Sequence, residues 1–339
     1  MKLPKILFIG SHLSQFRGTQ GPSERIARLL RSDFDIRLVS HFENQLIRLL
    51  DIALNVVFCS YDTVHIDVFS NRAFFYANFA SWIAKLRQKH IVMTLHGGML
   101  TEKYESEPES LRKVFNRAFI LQSPSLFLID FFQKKEFNVR YMPNFIDLSD
   151  FPYNRDKVVS HSLLWVRAFS SEYRPELAIL TLSKILPYYP DATLTMIGPD
   201  KGLQNDMELL IKNLDLVNHI RLEGKVPNQD LFTYYQTHAV YLNTTMYESF
   251  GLAVLEAASC GIPVVSTRVG EIPYLWKEGV EMLMSEADAE MMSREVMSVF
   301  ESVSLAQKLS INARKKADNY DWQFVKQQWL ELLQNKVAE

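Results

Sequence analysis

The sequence predicts an α/β protein of two successive doubly wound domains, each a parallel sheet with helices on both faces, facing a central cleft. Three observations predict it. Short apolar runs alternate with helical periodicity along almost the whole chain, the pattern of parallel strands joined by crossover helices. The rhythm breaks once, at 143–152, where two prolines bracket PNFIDLSDFP. A length of 339 residues suits two such domains.

In order, the apolar run KILFIG at 5–10 reads as a buried strand ending in Gly10. A polar loop, SHLSQFRGTQGPS, leads into a helix opened by Pro22-Ser23-Glu24 and reaching Leu30. Residues 36–39 form the second strand, and 44–54 has helical spacing in Leu46, Ile47, Leu49, Leu50 and Ala53. TVHIDVF at 63–69 alternates like a strand, and Asn71 caps a helix running to about Lys89. A strand at 91–95 stops at His96-Gly97-Gly98. TEKYESEPES at 101–110 reads as a charged loop before a helix at 111–117. A strand at 119–121, a helix at 124–135 and a strand at 139–142 complete the first half. In the second half, strands are expected at 162–166, 193–197, 219–222, 240–242, 263–266 and 281–284, with helices between. The last fifty or so residues read as helical, with Trp322, Phe324, Val325 and Trp329 as apolar anchors.

Composition narrows the function. The net charge of −2 provides no general attraction for nucleic acid, so any phosphate recognition is local. Cys59 and Cys260 stand among apolar residues with no CxxC pattern and no disulfide framework, which fits a reducing cytoplasm, and Cys260 reads as a small core residue. The opening MKLPKILFIG is too short and strand-like for a signal peptide. The longest nearly uncharged aromatic run, 73–84, falls short of the roughly twenty residues that span a bilayer. The basic cluster Lys85 to His90 suits either a wet helix end or contact with an anionic membrane. Asp33-Phe34-Asp35 reads as a solvated turn. His65 and Asp67 lack further ligands for a metal, and no GxSxG frame is present.

The stretch YESFGLAVLEAASCGIPVVST, 247–267, concentrates the chemistry. It reads as a loop, a helix and a buried strand. A helix N-terminus presents free N–H groups and partial positive charge to an anion, and Gly251 allows close approach to the backbone. Glu248 and Glu256 are carboxylates able to accept from vicinal diols. They would lie about 12 Å apart if the whole run were helical, near the length of a sugar diphosphate.

The frame Glu248-x7-Glu256 resembles the signature of the family 4 retaining glycosyltransferases, which have the GT-B fold of two Rossmann-like domains. Arg221 to Pro227 (RLEGKVP), Met196-Ile197-Gly198-Pro199, and Met142 to Asp147 (MPNFID, with Phe145 where the family has Gly) extend the resemblance over most of 140–290. It is loose in the first half. It implies domains of 1–147 and 148–320, the first on the acceptor side and the second binding the donor, with the final helix, 321–336, packing back on the first. It implies that Glu256 binds the ribose and Glu248 the donor sugar, with amides around Ser249, Phe250, Gly251 and Leu252 on sugar and diphosphate. Gly198 stands in the family's donor-binding strand end. Arg167 matches an arginine on the diphosphate. The lysine that follows it in the family is absent, and Arg174 is the candidate substitute, though guanidinium and ammonium differ in geometry. His96 with its two glycines resembles an element beside the donor sugar. His12, Gly18 and Gly21 occupy the place of an acceptor or phosphate loop, without a GxGxxG pattern.

The activity so implied is transfer of a sugar from a UDP- or GDP-sugar to a saccharide or lipid-linked acceptor, with retention and without metal or cofactor. It belongs to polysaccharide or glycolipid assembly in the cytoplasm, with peripheral contact at the inner face of the membrane. Two other classes stay open: a nucleotide-sugar epimerase or hydrolase on the same fold, and a non-catalytic nucleotide-sugar-binding subunit.

Overall fold

The structure, a computed structural model, describes residues 3–17, 21–70, 73–153 and 160–334. The chain divides into two compact units, Met1–Asn144 together with Gln323–Glu339, and Phe145–Trp322.

The sheet of the first unit contains β1 (Lys5–Ile9), β2 (Asp35–Val39), β3 (Thr63–Val68), β4 (His90–Leu95), β5 (Ile120–Ser123) and β6 (Val139–Tyr141). Their order is β2-β1-β3-β4-β5-β6, all parallel. All six residues of β3 are buried, so the alternation at 63–69 does not mark a wet face. It places His65 and Asp67 inside the protein, as a doubly covered strand requires. The helix Gln45–Phe58 runs four residues past the expected end, and the Asn44 side chain caps it, accepting from the N–H groups of Leu46 and Ile47.

Two expected loops are partly helical. The stretch 101–110 lies in the helices Leu100–Ser106 and Pro108–Phe115. Its glutamates and lysine are good helix formers, Leu100 and Tyr104 are buried anchors, and Lys103 pairs with Glu107 one turn on at 3.0 Å. The loop after β1 contains a helical turn, Ser14–Arg17. Asn71 and Gly18 lie outside the described residues.

The second unit repeats the design with β7 (Ser162–Val166), β8 (Thr193–Ile197), β9 (Ile220–Gly224), β10 (Val240–Asn243), β11 (Val264–Thr267) and β12 (Leu283–Ser285). The order is β12-β11-β10-β7-β8-β9, again all parallel. Its core gathers Trp165, Phe169, Leu182, Met196, Leu242 and Val265 between sheet and helices.

Each sheet has one place where successive connections leave in opposite directions: between β1 and β3 in the first unit, and between β7 and β10 in the second. The carboxyl ends of the strands flanking such a point leave a crevice where α/β proteins bind ligands. The last helix, Trp322–Gln334, buries Val325, Trp329, Leu332 and Leu333. Phe324, expected as an anchor, is 64% exposed because it falls on the opposite side of the helix.

Candidate active site

In the second unit the crevice falls where Arg167 leaves β7 and Asn243 ends β10. Arg167 Nη2 donates to Glu248 Oε2 at 2.5 Å and to Asn243 Oδ1 at 3.1 Å, and the guanidinium lies 5.3 Å over the Tyr173 ring. The Arg167 and Glu248 side chains are only 13 and 10% exposed. Burial alone would make Arg167 easier to deprotonate, but the Glu248 carboxylate outweighs it and raises the guanidinium pKa. The two residues expected to hold diphosphate and sugar separately are thus partners.

The loop carrying Glu248 is held by its backbone. Its carbonyl accepts from Glu271 N at 2.8 Å, and a Cβ on Gly270, where φ is +51°, would stand 2.1 Å from that oxygen. The helix Leu252–Cys260 begins after Gly251, which has φ +88° and provides no side-chain cap. The amides of its first turn are therefore free of a local side-chain acceptor. The Phe250 side chain is buried against Tyr320, and Ser249 is half-buried. Since Glu248 precedes the helix, the fully helical separation from Glu256 does not apply. Half-buried Glu256, within the helix, accepts from Tyr235 Oη at 3.1 Å. Burial first, and the Glu256 carboxylate second, push the Tyr235 hydroxyl pKa up. The same two causes hold the Cys260 thiol at about 12, consistent with an inert core residue.

Gly198 has a packing reason of its own: a Cβ there would stand 1.7 Å from the Arg167 carbonyl oxygen, so its absence lets β8 support Arg167 from behind. Arg174 adopts a left-handed conformation, φ +47°, immediately before Pro175, and no hydrogen bond or ion pair holds its guanidinium among the described residues. A strained non-glycine residue carrying an unspent cation is a functional signal. Asn243, Tyr173 and Tyr235 belong to no motif singled out in the sequence. Of these only Asn243 leaves a sign there, a polar side chain after the apolar run 240–242.

In the first unit the corresponding crevice is a cavity of about 610 Å³ at the carboxyl ends of β1, β2 and β3. Gly10, Ser40, Glu43, Arg48, Asp67 and Tyr76 line it. His96 follows β4; its Nε2 lies 3.1 Å from Asp67 Oδ1 and its ring stacks on Phe69. Burial works against the Asp67 carboxylate, but His96, with help from His65 and Ser23, holds its pKa down at about 2. Gly10 is required here, since a Cβ would meet Asp67 Oδ2 at 2.4 Å.

His12 does not form part of the cavity lining. It is buried, Nδ1–H donates to the Val39 carbonyl at 2.6 Å, and burial lowers its pKa, so its ring ties the loop to the end of β2. Gly21 precedes the helix Pro22–Leu29 with an ordinary φ of −72°. Asp33 is bonded to Lys326 at 2.9 Å, and His65 to Thr94 at 2.7 Å. Among the described residues no three His, Cys, Asp or Glu side chains gather as a metal site requires.

Residues 157–316, most of the second unit, match the family model of glycosyl transferases group 1. The fold is GT-B, two Rossmann-like units. Over 150 residues the chain is 31% identical to one component of the human phosphatidylinositol N-acetylglucosaminyltransferase, a stretch covering 43% of this chain and 30% of the relative. It is 27% identical to the D-inositol 3-phosphate glycosyltransferase of Corynebacterium diphtheriae over 44% of this chain and 36% of that one. The matched stretch thus spans about a third of these relatives. Among solved structures, sucrose-phosphate synthase from Thermosynechococcus elongatus superposes with a TM-score of 0.80 at 16% identity, covering 99% of both chains. HepE from Anabaena in complex with UDP and glucose gives 0.77 at 18% identity over 98% of this chain and all of that one.

Proposed function

We propose that the protein transfers a sugar from a nucleotide-sugar donor to an acceptor hydroxyl, with retention of configuration and without a metal. The observation that carries this reading is the buried cation Arg167, held by Glu248 and Asn243 at the strand switch of the second unit. The uncapped N-terminus of the helix Leu252–Cys260 is its companion. Together they suit a diphosphate leaving group: fixed donors and positive charge aimed where negative charge develops. Arg174 supplies the second cation in place of the family's lysine. Glu256 takes the ribose hydroxyls and Glu248 the donor sugar, the latter while still facing Arg167. In the first unit, His96, positioned by Asp67, is the candidate polar group.

In the reaction, the acceptor oxygen bonds to the anomeric carbon on the face from which the diphosphate departs. The acceptor proton passes to the departing phosphate oxygen, so charge and atoms balance without a protein nucleophile. HepE is described with UDP and with glucose, which favours a UDP-sugar here, with a GDP-sugar as the next choice. The acceptor is a saccharide or a lipid-linked hydroxyl, as in polysaccharide or glycolipid assembly. Two relatives are named for phosphatidylinositol and inositol phosphate acceptors.

The test is a thermal-shift screen across UDP-, GDP-, ADP- and dTDP-sugars, since a bound donor stabilises the folded protein by mass action. It is followed by product analysis with and without acceptor. Glu256→Ala should lose donor affinity by about tenfold or more. If it kept full affinity, the ribose assignment would be wrong. Donor consumed with no acceptor present would instead identify an epimerase or hydrolase, and donor binding without turnover a non-catalytic subunit.

A further inference from the structure

The helix Gln45–Phe58 inverts the usual arrangement of a surface helix. Its outward side chains are Leu46, Ile47, Leu50, Leu54, Val57 and Phe58, between 39 and 78% exposed. At 100° per residue they share an arc of about 120°. Its two charged residues turn inward. Asp51 accepts from Ser40 N at 2.7 Å and from Asn55 Nδ2 at 2.8 Å. Arg48 Nε donates to the Phe42 carbonyl at 2.9 Å, with the guanidinium over the Tyr76 ring.

The neighbouring helix Ala73–Leu86 continues the surface with Phe75, Trp82 and Leu86, each more than half exposed. Arg87 joins the pair, donating to the carbonyls of Val56 and Cys59 at 2.6 and 3.0 Å. Residues 73–89 contain no acid and three bases. Arg87 is spent on carbonyls and, like Lys89, lies over the Tyr61 ring; Lys85 stays exposed and Lys89 half-exposed at the edge of the apolar surface.

We propose that this face of the first unit docks on an anionic phospholipid bilayer. The apolar side chains enter the interfacial zone, Trp82 sits at headgroup level, and Lys85 and Lys89 meet lipid phosphates. The charge pattern selects this occupant. A second copy packed on the same face would bring lysine toward lysine with no acid on either helix's outward face to answer them. Residues from the same two helices, Gln45, Arg48, Ala73 and Tyr76, line the cavity of the first unit. The docking therefore deepens the transferase reading: the bilayer would deliver a lipid-anchored acceptor beside that cavity, a delivery that rests on the transferase reading being right.

The test is co-sedimentation of the full chain with phosphatidylcholine vesicles, with and without phosphatidylglycerol, alongside light scattering for oligomeric state. The wild type should bind the anionic vesicles and bind the neutral ones far less. Leu50→Ser with Leu54→Ser should weaken partitioning by about tenfold or more. Lys85→Glu with Lys89→Glu should remove the preference for phosphatidylglycerol, and it carries the test if the serine variant does not fold. Wild-type protein left in the supernatant with both vesicles overturns the proposal. So does undiminished binding by both variants, or a dimer that the serine substitutions split without any vesicle binding. A thermal shift with UDP-glucose is read separately in the same proteins. Its absence from the wild type would count against the donor reading and leave the docking result standing.

Discussion

Glu248→Gln tests the central pair most sharply, because stability and ligand affinity should move in opposite directions. The substitution keeps an oxygen able to accept from Arg167 but removes the charge opposite a guanidinium only 13% exposed. Removing one partner of a buried pair costs about 3–5 kcal/mol when nothing relieves the charge left behind. Here the amide oxygen and Asn243 Oδ1 still accept, and Tyr173 still lies beneath the guanidinium. A loss of about 2–3 kcal/mol follows, or a fall in melting temperature of about 4–12 °C for a unit of this size. A free diphosphate sees the reverse. It gains an arginine no longer neutralised and loses a neighbouring carboxylate, so UDP should bind about five- to tenfold tighter (about 1–1.4 kcal/mol). Sugar transfer should nevertheless drop by about a hundredfold, because the carboxylate assigned to the sugar is gone. Calorimetric unfolding, UDP titration and turnover measure the three quantities on one protein. Unchanged stability together with weaker UDP binding would refute both the pairing and the assignment of Arg167 to the diphosphate.

Three further outcomes follow. Gly270→Ala should displace the Glu248 loop, since the new Cβ would stand 2.1 Å from the Glu248 carbonyl oxygen; UDP-sugar titration should show weaker donor binding while the far-ultraviolet circular dichroism stays that of the wild type. Burial lowers the His65 pKa from 6.5 to about 4, so the unfolded chain binds the extra proton between those values and stability falls on acidification; urea unfolding should lose about 3 kcal/mol from neutral pH to about pH 4, and His65→Gln should flatten that slope. Cys260, buried with its thiol at about 12, should resist alkylation in the native protein at mildly alkaline pH and react only on unfolding, as peptide mass spectrometry would show.

What was legible in the sequence tracks how far each signal depends on neighbours in the chain. The strand at 162–166 is an almost continuous apolar run with a buried centre, and 193–197 sets buried Leu194, Met196 and Ile197 between threonines, so both leave little room for another reading. The grouping of Glu248, Gly251 and Glu256 is legible because loop, glycine and helix are consecutive. The charged stretch 101–110 misled because its anchors, Leu100 and Tyr104, are too few to make a pattern, while its helix-forming glutamates look like a solvated loop. His65 and Asp67 are polar residues in a strand pattern, and only the covering of both faces of the parallel sheet buries them. Asn243 left no more than a polar side chain after an apolar run, because its meaning comes from lying in the strand beside Arg167, 76 residues away along the chain.

The same contrast explains why the two crevices differ in legibility. In the second unit one short segment supplies the helix end, the loop and both carboxylates, while Arg167, Asn243, Tyr173, Arg174 and Tyr235 arrive from elsewhere. In the first, the cavity is assembled from single residues at the ends of β1, β2 and β3 and from two helices, so no window of sequence contains it. A segmental site constrains its ligand through backbone geometry, with amides and glycines that few substitutions preserve. A dispersed site constrains its ligand through side chains that can change one at a time without disturbing the sheet beneath. On the proposed reading, with the acceptor in the first unit, substitutions such as Glu43→Gln or Tyr76→Phe should alter acceptor choice and leave donor affinity unchanged. A shift in donor affinity equal to the shift in acceptor KM would contradict that division.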